Sequence, residues 1–583
     1  MDQAAASIPV PGILPTTGDA RRHDLDALRA FAMLLGIGLH ASLSFFRTPW
    51  PVQDSQPNEL FGLLFILVHG FRMPLFFLVS GYFTMLLFRR RGLPALLKQR
   101  FGRILVPFLL GAATLVPLTA WVSLRAMQDQ ARAVKVVRIE SLAAAVRAGD
   151  AAKIEAYLPD DSQLNQLDGD FGVSPLSWAV LRRDRALVNR LLDRGADVNA
   201  ANRDGNRPLH AAAFLGGDDL AAALLARGAD ASARSLAGDR PIAATNVDWE
   251  ATQYMVGLLG LPLPERESLE AERAKVRARL AQLDENVASA STENGGQRGS
   301  DARGKDSRGT WLNAMHDAYQ RWLHSDRWRY SAAGRTLHLF DTDLFAHLWF
   351  LWFLCWLVAG FALIAPAAER WLTGWNPRWF AWLLVPLTLA PEALMGQGPV
   401  RFGPDTATGL LPQPHLLAYY GLFFAHGALG FAAQEHGTVW GRRGWSFVCV
   451  AVLLAFPATL AGIGNLAVTT VAQTVYAWTM SLGLIGVFRR HLPSESRVLR
   501  YVADSSYWLY LAHLPLVIGL QWQVRDWPLP AALKFLAINV VAVALLLVAY
   551  HWLVRPTWLG ALLNGRRQLP SPHRLCDGEK GRG

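Results

Sequence analysis

Ten apolar runs divide this chain, and a soluble core does not absorb that many runs of such length. They lie at Ala27–Phe45, Leu60–Phe88 and Ile104–Leu124, then at Leu344–Ala365, Trp379–Met395, Leu416–Ala433, Trp445–Ile463, Leu466–Phe488, Ser505–Gln521 and Ala531–Leu553. Each is about the length a helix needs to cross a bilayer. Backbone polar groups inside hydrocarbon must be satisfied within the helix itself. The pattern therefore predicts an all-α polytopic membrane protein of about ten transmembrane helices, with a long polar insert between the third and fourth.

Charge orients the set. The loop "RRRGLPALLKQRFGR", Arg89 to Arg103, is rich in Arg and Lys and holds no acidic residue. "RRHLPSESRVLR" and the Arg-rich C-terminal tail fall on the same side, which the positive-inside rule makes cytoplasmic. Ten spans put both termini there and the insert on the far side. The net charge of +11 thus belongs to membrane orientation and not to nucleic acid, for which no module is present. The first 20 residues lack a signal-peptide pattern, so the first span is expected to act as a signal anchor. Three cysteines, two of them in apolar runs, imply no disulfide framework. No phosphate loop, HExxH or GxSxG motif is found, and no metal site is expected.

The insert repeats itself. "SPLSWAV" at Ser174, "RPLHAAA" at Arg207 and "RPIAATN" at Arg240 recur with a step of 33, and "RGADVNA" and "RGADASA" keep it. That period and core resemble the ankyrin repeat, a turn plus two helices. Repeats are expected at about 169–201, 202–234 and, in part, 235–252, after a degenerate capping repeat "SLAAAVRAGDAAKIEAYL". Such a stack presents one open face, so a protein partner is the default expectation. His210, in the PLH core, is expected to serve hydrogen bonding within the repeat.

The implied layout is a polar tail (1–20), a first membrane part (21–124), the ankyrin insert (138–260), a connecting region (261–336), a second membrane part (337–556) and a basic tail (557–583). In the connecting region, Leu269, Val276, Leu280 and Leu283 make a thin apolar stripe on a charged helix. A flexible-linker composition follows. From Trp311, aromatic and charged residues at helical spacing suit a membrane surface.

Ionisable groups inside spans cost about 3 kcal/mol each and usually have a function. The first span carries Asp26, Arg29 and His40. Arg29 and His40 are eleven residues apart, about three helical turns, so they share a face roughly 16 Å apart along the axis. Asp26 and Arg29 at i,i+3 can pair. Gly36 leaves that face open for another chain or an acyl ligand. His is the natural general base near neutral pH, and the plain alternative is a buried histidine bonded to a neighbouring helix. The second span adds His69 and Arg72 at mid-depth beside Pro74, with Ser80 and Gly81 as a small polar surface. Tyr510 and His513 share a face of a later span. "HLWFLWFLCWL" at His347 reads as a belt of interfacial aromatic anchors. Glu392, His415 and His426 are weaker candidates.

Together, "RRHDLDALRAFAMLLGIGLH" with its Arg-x10-His spacing, "RMPLFFLVSGYF", "RFGRILVP", "HLWFLWFL" and "SSYWLYLAHLPLV" resemble the acyltransferase type 3 membrane family, and within it the group that succinylates periplasmic glucans. The resemblance covers about Arg21–Leu124 and Leu337–Pro556. It implies a bacterial inner-membrane enzyme that moves an acyl group, succinyl or acetyl, from a cytoplasmic donor such as acyl-CoA to a sugar hydroxyl of an extracytoplasmic glycan. No permanently bound cofactor is implied. The family's motifs fall on Arg29, His40, Arg72, Ser80 and Gly81. The implied catalytic set is His40 as base, Arg29 orienting the donor and Arg72 facing developing negative charge. Asp26, His69, Ser80, Gly81, Tyr510 and His513 are expected to bind substrate. The insert departs from the family, which leads one to expect a much shorter connection there. A transporter or gated channel with an ankyrin sensing module is the alternative that polar mid-membrane residues also fit.

Overall fold

The computed structural model describes residues 22–46, 48, 50–134, 139–169, 171–236, 238–247, 249–293, 310–332, 335–340, 342–371, 377–395, 403–434, 443–462, 465–492 and 496–564. Each of the ten apolar runs lies mostly in helix. Among the described residues, six stretches are long and apolar enough to cross a membrane: His23–Ser42, Leu60–Gln130, Ala346–Ala368, Gly444–Ala461, Leu466–His491 and Ala531–Val554. The second of these contains two runs. The three runs that fall short, the fifth, sixth and ninth, carry much of the polar content, including Tyr419, Tyr420, His426, Tyr510 and His513. The fifth falls short by its length, Trp379–Ala393, whereas polarity lowers the apolar signal of the sixth and ninth, the helices that build polar contacts.

The first membrane part comprises α1 (His23–Ser42), α2 (Leu60–Arg100) and α3 (Val106–Val134). α2 runs on through Pro74 and breaks at Gly92, whose φ of 74° only glycine adopts freely. A single π-type turn, Phe101–Leu105, leads into α3.

The insert then builds helix pairs: α4 (Leu142–Ala148) with α5 (Ala151–Tyr157), α6 (Pro175–Leu181) with α7 (Arg185–Asp193), and α8 (Pro208–Leu215) with α9 (Asp218–Ala226). Local sequence explains each start. Ser141, Asp150, Ser174 and Asp184 cap their helices through side-chain oxygens, and Pro175 and Pro208 stand at first helical positions. The stretch expected to be a degenerate cap is thus a full helix pair. The last repeat is irregular, a 3-10 turn at Pro241–Asn246 followed by α10 (Trp249–Leu258). His210 takes the expected structural place. Its Nδ1 accepts from Arg207 N–H at 3.1 Å and its Nε2 lies 3.1 Å from the Asp239 carbonyl oxygen.

α11 (Arg266–Glu293) closes the stack. Its stripe residues Leu269, Val276 and Leu280 are buried, and Arg273 donates to the Phe214 and Val247 carbonyls at 2.8 and 2.6 Å. A stack needs such a cap because its last repeat cannot bury its own apolar face.

α12 (Thr310–Leu323) does more than lie on a surface. His316 Nδ1 lies 3.1 Å from the Ala393 carbonyl, Gln320 donates to Leu394 O at 2.8 Å, and Tyr319 Oη is 2.8 Å from His415 Nδ1. These three, at i, i+3 and i+4, bind the end of one membrane-part helix and the start of another. A two-stranded antiparallel hairpin follows, β1 (Arg329–Ala332) and β2 (Arg335–His338), a small departure from an all-α expectation.

The second membrane part runs α13 (Trp349–Trp371), α14 (Pro377–Leu387), α15 (Leu389–Ala393), α16 (Pro414–Gln434), α17 (Gly444–Val450), α18 (Phe456–Ala461), α19 (Leu466–His491), α20 (Arg497–Val524), α21 (Ala531–Ala549) and α22 (Trp558–Asn564). α1 packs against α2, α19 and α20, and α2 packs along α16. Most of the aromatics expected to anchor at an interface face inward instead, Trp356 being the exposed exception. Trp349, Phe350 and Phe353 are buried and join Phe77 and Tyr420 in the central cluster. The outer faces expose Leu363, Ile364, Leu453, Leu536 and Leu553, as lipid contact requires.

Candidate active site

α1, α2, α13 and α20 converge on one small cavity. Its lining includes Gly36 and His40 from α1, Arg72 and Phe76 from α2, His347 from the 3-10 turn just before α13, Phe350 from α13 itself, and Tyr510 and His513 from α20. The free space is about 30 Å³, enough for a water or two and too little for a sugar.

The pairing at its centre joins residues 473 positions apart. His40 Nδ1 lies 2.8 Å from His513 Nε2, and His513 Nδ1 lies 2.7 Å from the Tyr510 carbonyl oxygen. A carbonyl only accepts, so this network assigns the proton of His513 to Nδ1 and leaves Nε2 as a lone pair. The Nδ1 of His40 must then donate. In the neutral His40 ring, Nε2 is then the lone pair, a base without a partner among the described residues. The same logic orients the base in acyl-transfer triads, where a third group fixes the tautomer.

Two more contacts hold His40. Trp50 stacks parallel to its ring with centroids 6.1 Å apart. Gln521 donates to the carbonyls of His40 and Ala41 at 2.9 and 3.1 Å while accepting from Trp50 Nε1 at 2.9 Å. These carbonyls end α1, where intrahelical donors run out and the His40 carbonyl also accepts from the Leu43 N–H at 3.4 Å.

Arg72 reaches the cavity from α2. Its Nε is buried, and the side chain makes no hydrogen bond or ion pair among the described residues. A Cβ at Gly36 would overlap its guanidinium. The open face expected at Gly36 is thus filled by Arg72.

Arg29 stands elsewhere. It pairs with Asp26 at 3.6 Å, at the end of α1 away from His40, and does not line the cavity. Arg100 and Arg103 lie close enough to repel it and each other. Arg100 Nε is buried without a partner among the described residues, although Arg100 also donates to Thr84 at 2.8 Å. The sequence pointed to Arg29 alone, and the two further arginines were visible only as orienting charge.

Four expected substrate-binding residues are not brought to the cavity, the first being Asp26, which pairs with Arg29 at the far end of α1. His69 stacks on Phe65 with centroids 5.2 Å apart, and Gly403 packs against it. A Cβ at Gly81 would overlap the Phe424 carbonyl, so this glycine serves the close approach of α2 to α16. Ser80 lies beside it, outside the lining. Tyr510 lines the cavity and donates to the His347 carbonyl at 2.7 Å. His347 was missed as a site residue because its aromatic neighbours made it read as part of a belt. Of the weaker candidates, Glu392 is buried with Oε2 unpartnered among the described residues, and His426 Nδ1 lies 2.8 Å from the Ala381 carbonyl.

Comparison with known proteins matches residues 22–131 and 305–551 to an acyltransferase domain family. The chain belongs to that family. Three ankyrin repeats are matched over residues 142–235, so the acyltransferase domain is split around them, and their first copy takes in the α4–α5 pair. Glucans biosynthesis protein C from Escherichia coli O1:K1 / APEC is 37% identical over 111 residues, 19% of this chain and 29% of the relative. The proteins of that name from strains E24377A / ETEC and HS match to the same extent. The match spans less than a third of the length of these relatives. The acyltransferase domain accounts for α1, α2, most of α3 and all of α12 to α21, which together hold every cavity residue named above.

Proposed function

We propose that this membrane protein is an O-acyltransferase that moves succinyl or acetyl from a cytoplasmic donor such as acyl-CoA to a hydroxyl of an extracytoplasmic glycan. The observation that carries the proposal is the free Nε2 of His40, fixed as a base by His513 and facing a cavity that holds an unpaired arginine. Family membership favours this reading over transport.

In the reaction, His40 Nε2 takes the proton of the acceptor hydroxyl as its oxygen attacks the thioester carbonyl. Arg72 donates to the oxyanion that develops there. The C–S bond then breaks, the ester C–O bond remains, and the His40 imidazolium returns its proton to the departing thiolate. Arg29, Arg100 and Arg103 form a cationic mouth suited to the phosphates of the donor. The charge bias of the loops supports cytoplasmic termini in a bacterial inner membrane and, with the ten spans that the apolar runs suggest, an ankyrin insert on the periplasmic side. The open face of the repeats supports docking of a protein partner there.

The test is mass spectrometry of extracytoplasmic glycans from cells making wild-type protein, His40→Ala or none. A mass increment seen only with wild type supports the proposal and names the acyl group. Equal acylation in the His40→Ala cells refutes the role of His40.

A further inference from the structure

The cavity offers a second lone pair that the transfer chemistry does not use. His347 follows Ala346, whose φ of 46° places a non-glycine residue in the left-handed region. Asp343 Oδ1 accepts from the Ala346 N–H at 2.8 Å and holds this strained turn. The turn sends the His347 ring inward, where Nε2 lies 2.9 Å from the Leu511 carbonyl oxygen. That carbonyl can only accept, so Nε2 carries the proton and Nδ1 is a hydrogen-bond acceptor. Nδ1 is buried and has no partner among the described residues. A buried acceptor left unpaired is disfavoured, and such groups in a site commonly mark where a ligand donor belongs.

His40 and His347 flank the same ring, with centroids 5.0 and 5.1 Å from that of His513. The cavity therefore holds two separate acceptors, His40 Nε2 and His347 Nδ1, and one cation, Arg72. A mono-alcohol has one O–H to give, and that proton goes to His40. A sugar has others on the same ring.

We propose that His347 Nδ1 accepts a hydrogen bond from a second hydroxyl of the acceptor, so that the site selects a polyol over a mono-alcohol. This rests on the acyl-transfer reading. His347 is then a substrate-binding residue that sets acceptor specificity. The amide N–H groups of a pantetheine arm offer the same donor chemistry, and the test separates the two sources.

Full-length protein in proteoliposomes is supplied with succinyl-CoA and with methyl glucoside or its mono-deoxy analogues, each keeping the hydroxyl that becomes acylated. Wild type should reject at least one deoxy analogue by about 100-fold or more in kcat/KM, because a site built around a hydroxyl is left unpaired by its loss. His347→Phe keeps a ring of similar size but removes the cavity-facing acceptor, and the ratio should fall towards one. Equal use of all analogues by wild type overturns the assignment whether or not the variant folds. So does a variant that keeps the wild-type ratio, or one whose only change is a raised KM for succinyl-CoA. No acylated product with any acceptor, from acetyl-CoA as from succinyl-CoA, overturns the acyl-transfer reading, and this assignment with it.

Discussion

The guanidinium of Arg72 occupies the space beside Gly36 that any side chain at position 36 would need. Glycine in the middle of a helix costs about 0.5–1 kcal/mol relative to alanine, so its presence here calls for a compensating use. That use is room for a cation next to the base on the same helix. Gly36→Ala should displace Arg72 and lower kcat by about 100-fold, the scale of losing one oxyanion donor. Gly38→Ala is the control, because a Cβ there would stand 3.6 Å from Asn539 Oδ1, an ordinary contact. Steady-state kinetics on both variants decide it. Equal activity in the two would show that Arg72 does not act from this position.

A tautomer, and not only a contact, depends on His513. His513→Leu removes the acceptor for His40 Nδ1–H and frees the imidazole to flip its proton onto Nε2. The expected loss in kcat is about 10²- to 10⁴-fold, by analogy with triads whose orienting group is neutralised. His513→Gln places an amide oxygen near the lost Nε2 and should recover part of that activity. If Leu and Gln behave alike, the orienting role fails.

A buried ion pair secures the loop that carries Trp50 to His40. Lys534 Nζ lies 3.0 Å from both carboxylate oxygens of Asp54 and donates to the Arg525 carbonyl at 2.9 Å, with both side chains almost fully buried. Breaking such a pair strands a charge and costs about 3–5 kcal/mol. Lys534→Met should therefore lower the thermal unfolding temperature in detergent by several degrees, and Lys534→Met with Asp54→Leu should recover most of it. A double variant no better than the single one would show that the pair does more than neutralise itself.

Helix positions, the repeat period and the polar residues worth asking about were legible because each leaves a local pattern. Hydrophobic runs mark membrane helices, and Pro175, Pro208 and the capping residues mark repeat helices within a few positions. The partners were not legible. Nothing near position 40 announces His513, since that pairing is made by the packing of α1 on α20. Gly81 in a sequence reads equally as polar surface or as a close approach, and only the Phe424 backbone decides between them. His347 sat in plain view, but its meaning lies in which nitrogen faces the Leu511 carbonyl.

The ankyrin insert gives a prediction that also tests its orientation. Burial lowers the pKa of His210, and this outweighs the opposing effect of its bond to the Asp239 carbonyl. In the unfolded chain histidine titrates near 6.5, so below that pH the unfolded insert takes up a proton that the folded one resists. Stability is therefore full above about 6.5 and declines as pH falls towards the lower folded value. Protease added outside spheroplasts should cut the insert faster at pH 5.5 than at pH 7.5. His210→Asn keeps an acceptor for the Arg207 N–H and should be cut faster at both values, with a flatter dependence on pH. The same slope in both proteins would remove His210 as the cause. Because the protease stays outside, any cleavage within residues 142–235 places the insert on the extracytoplasmic side, and protection that ends only on lysis places it inside.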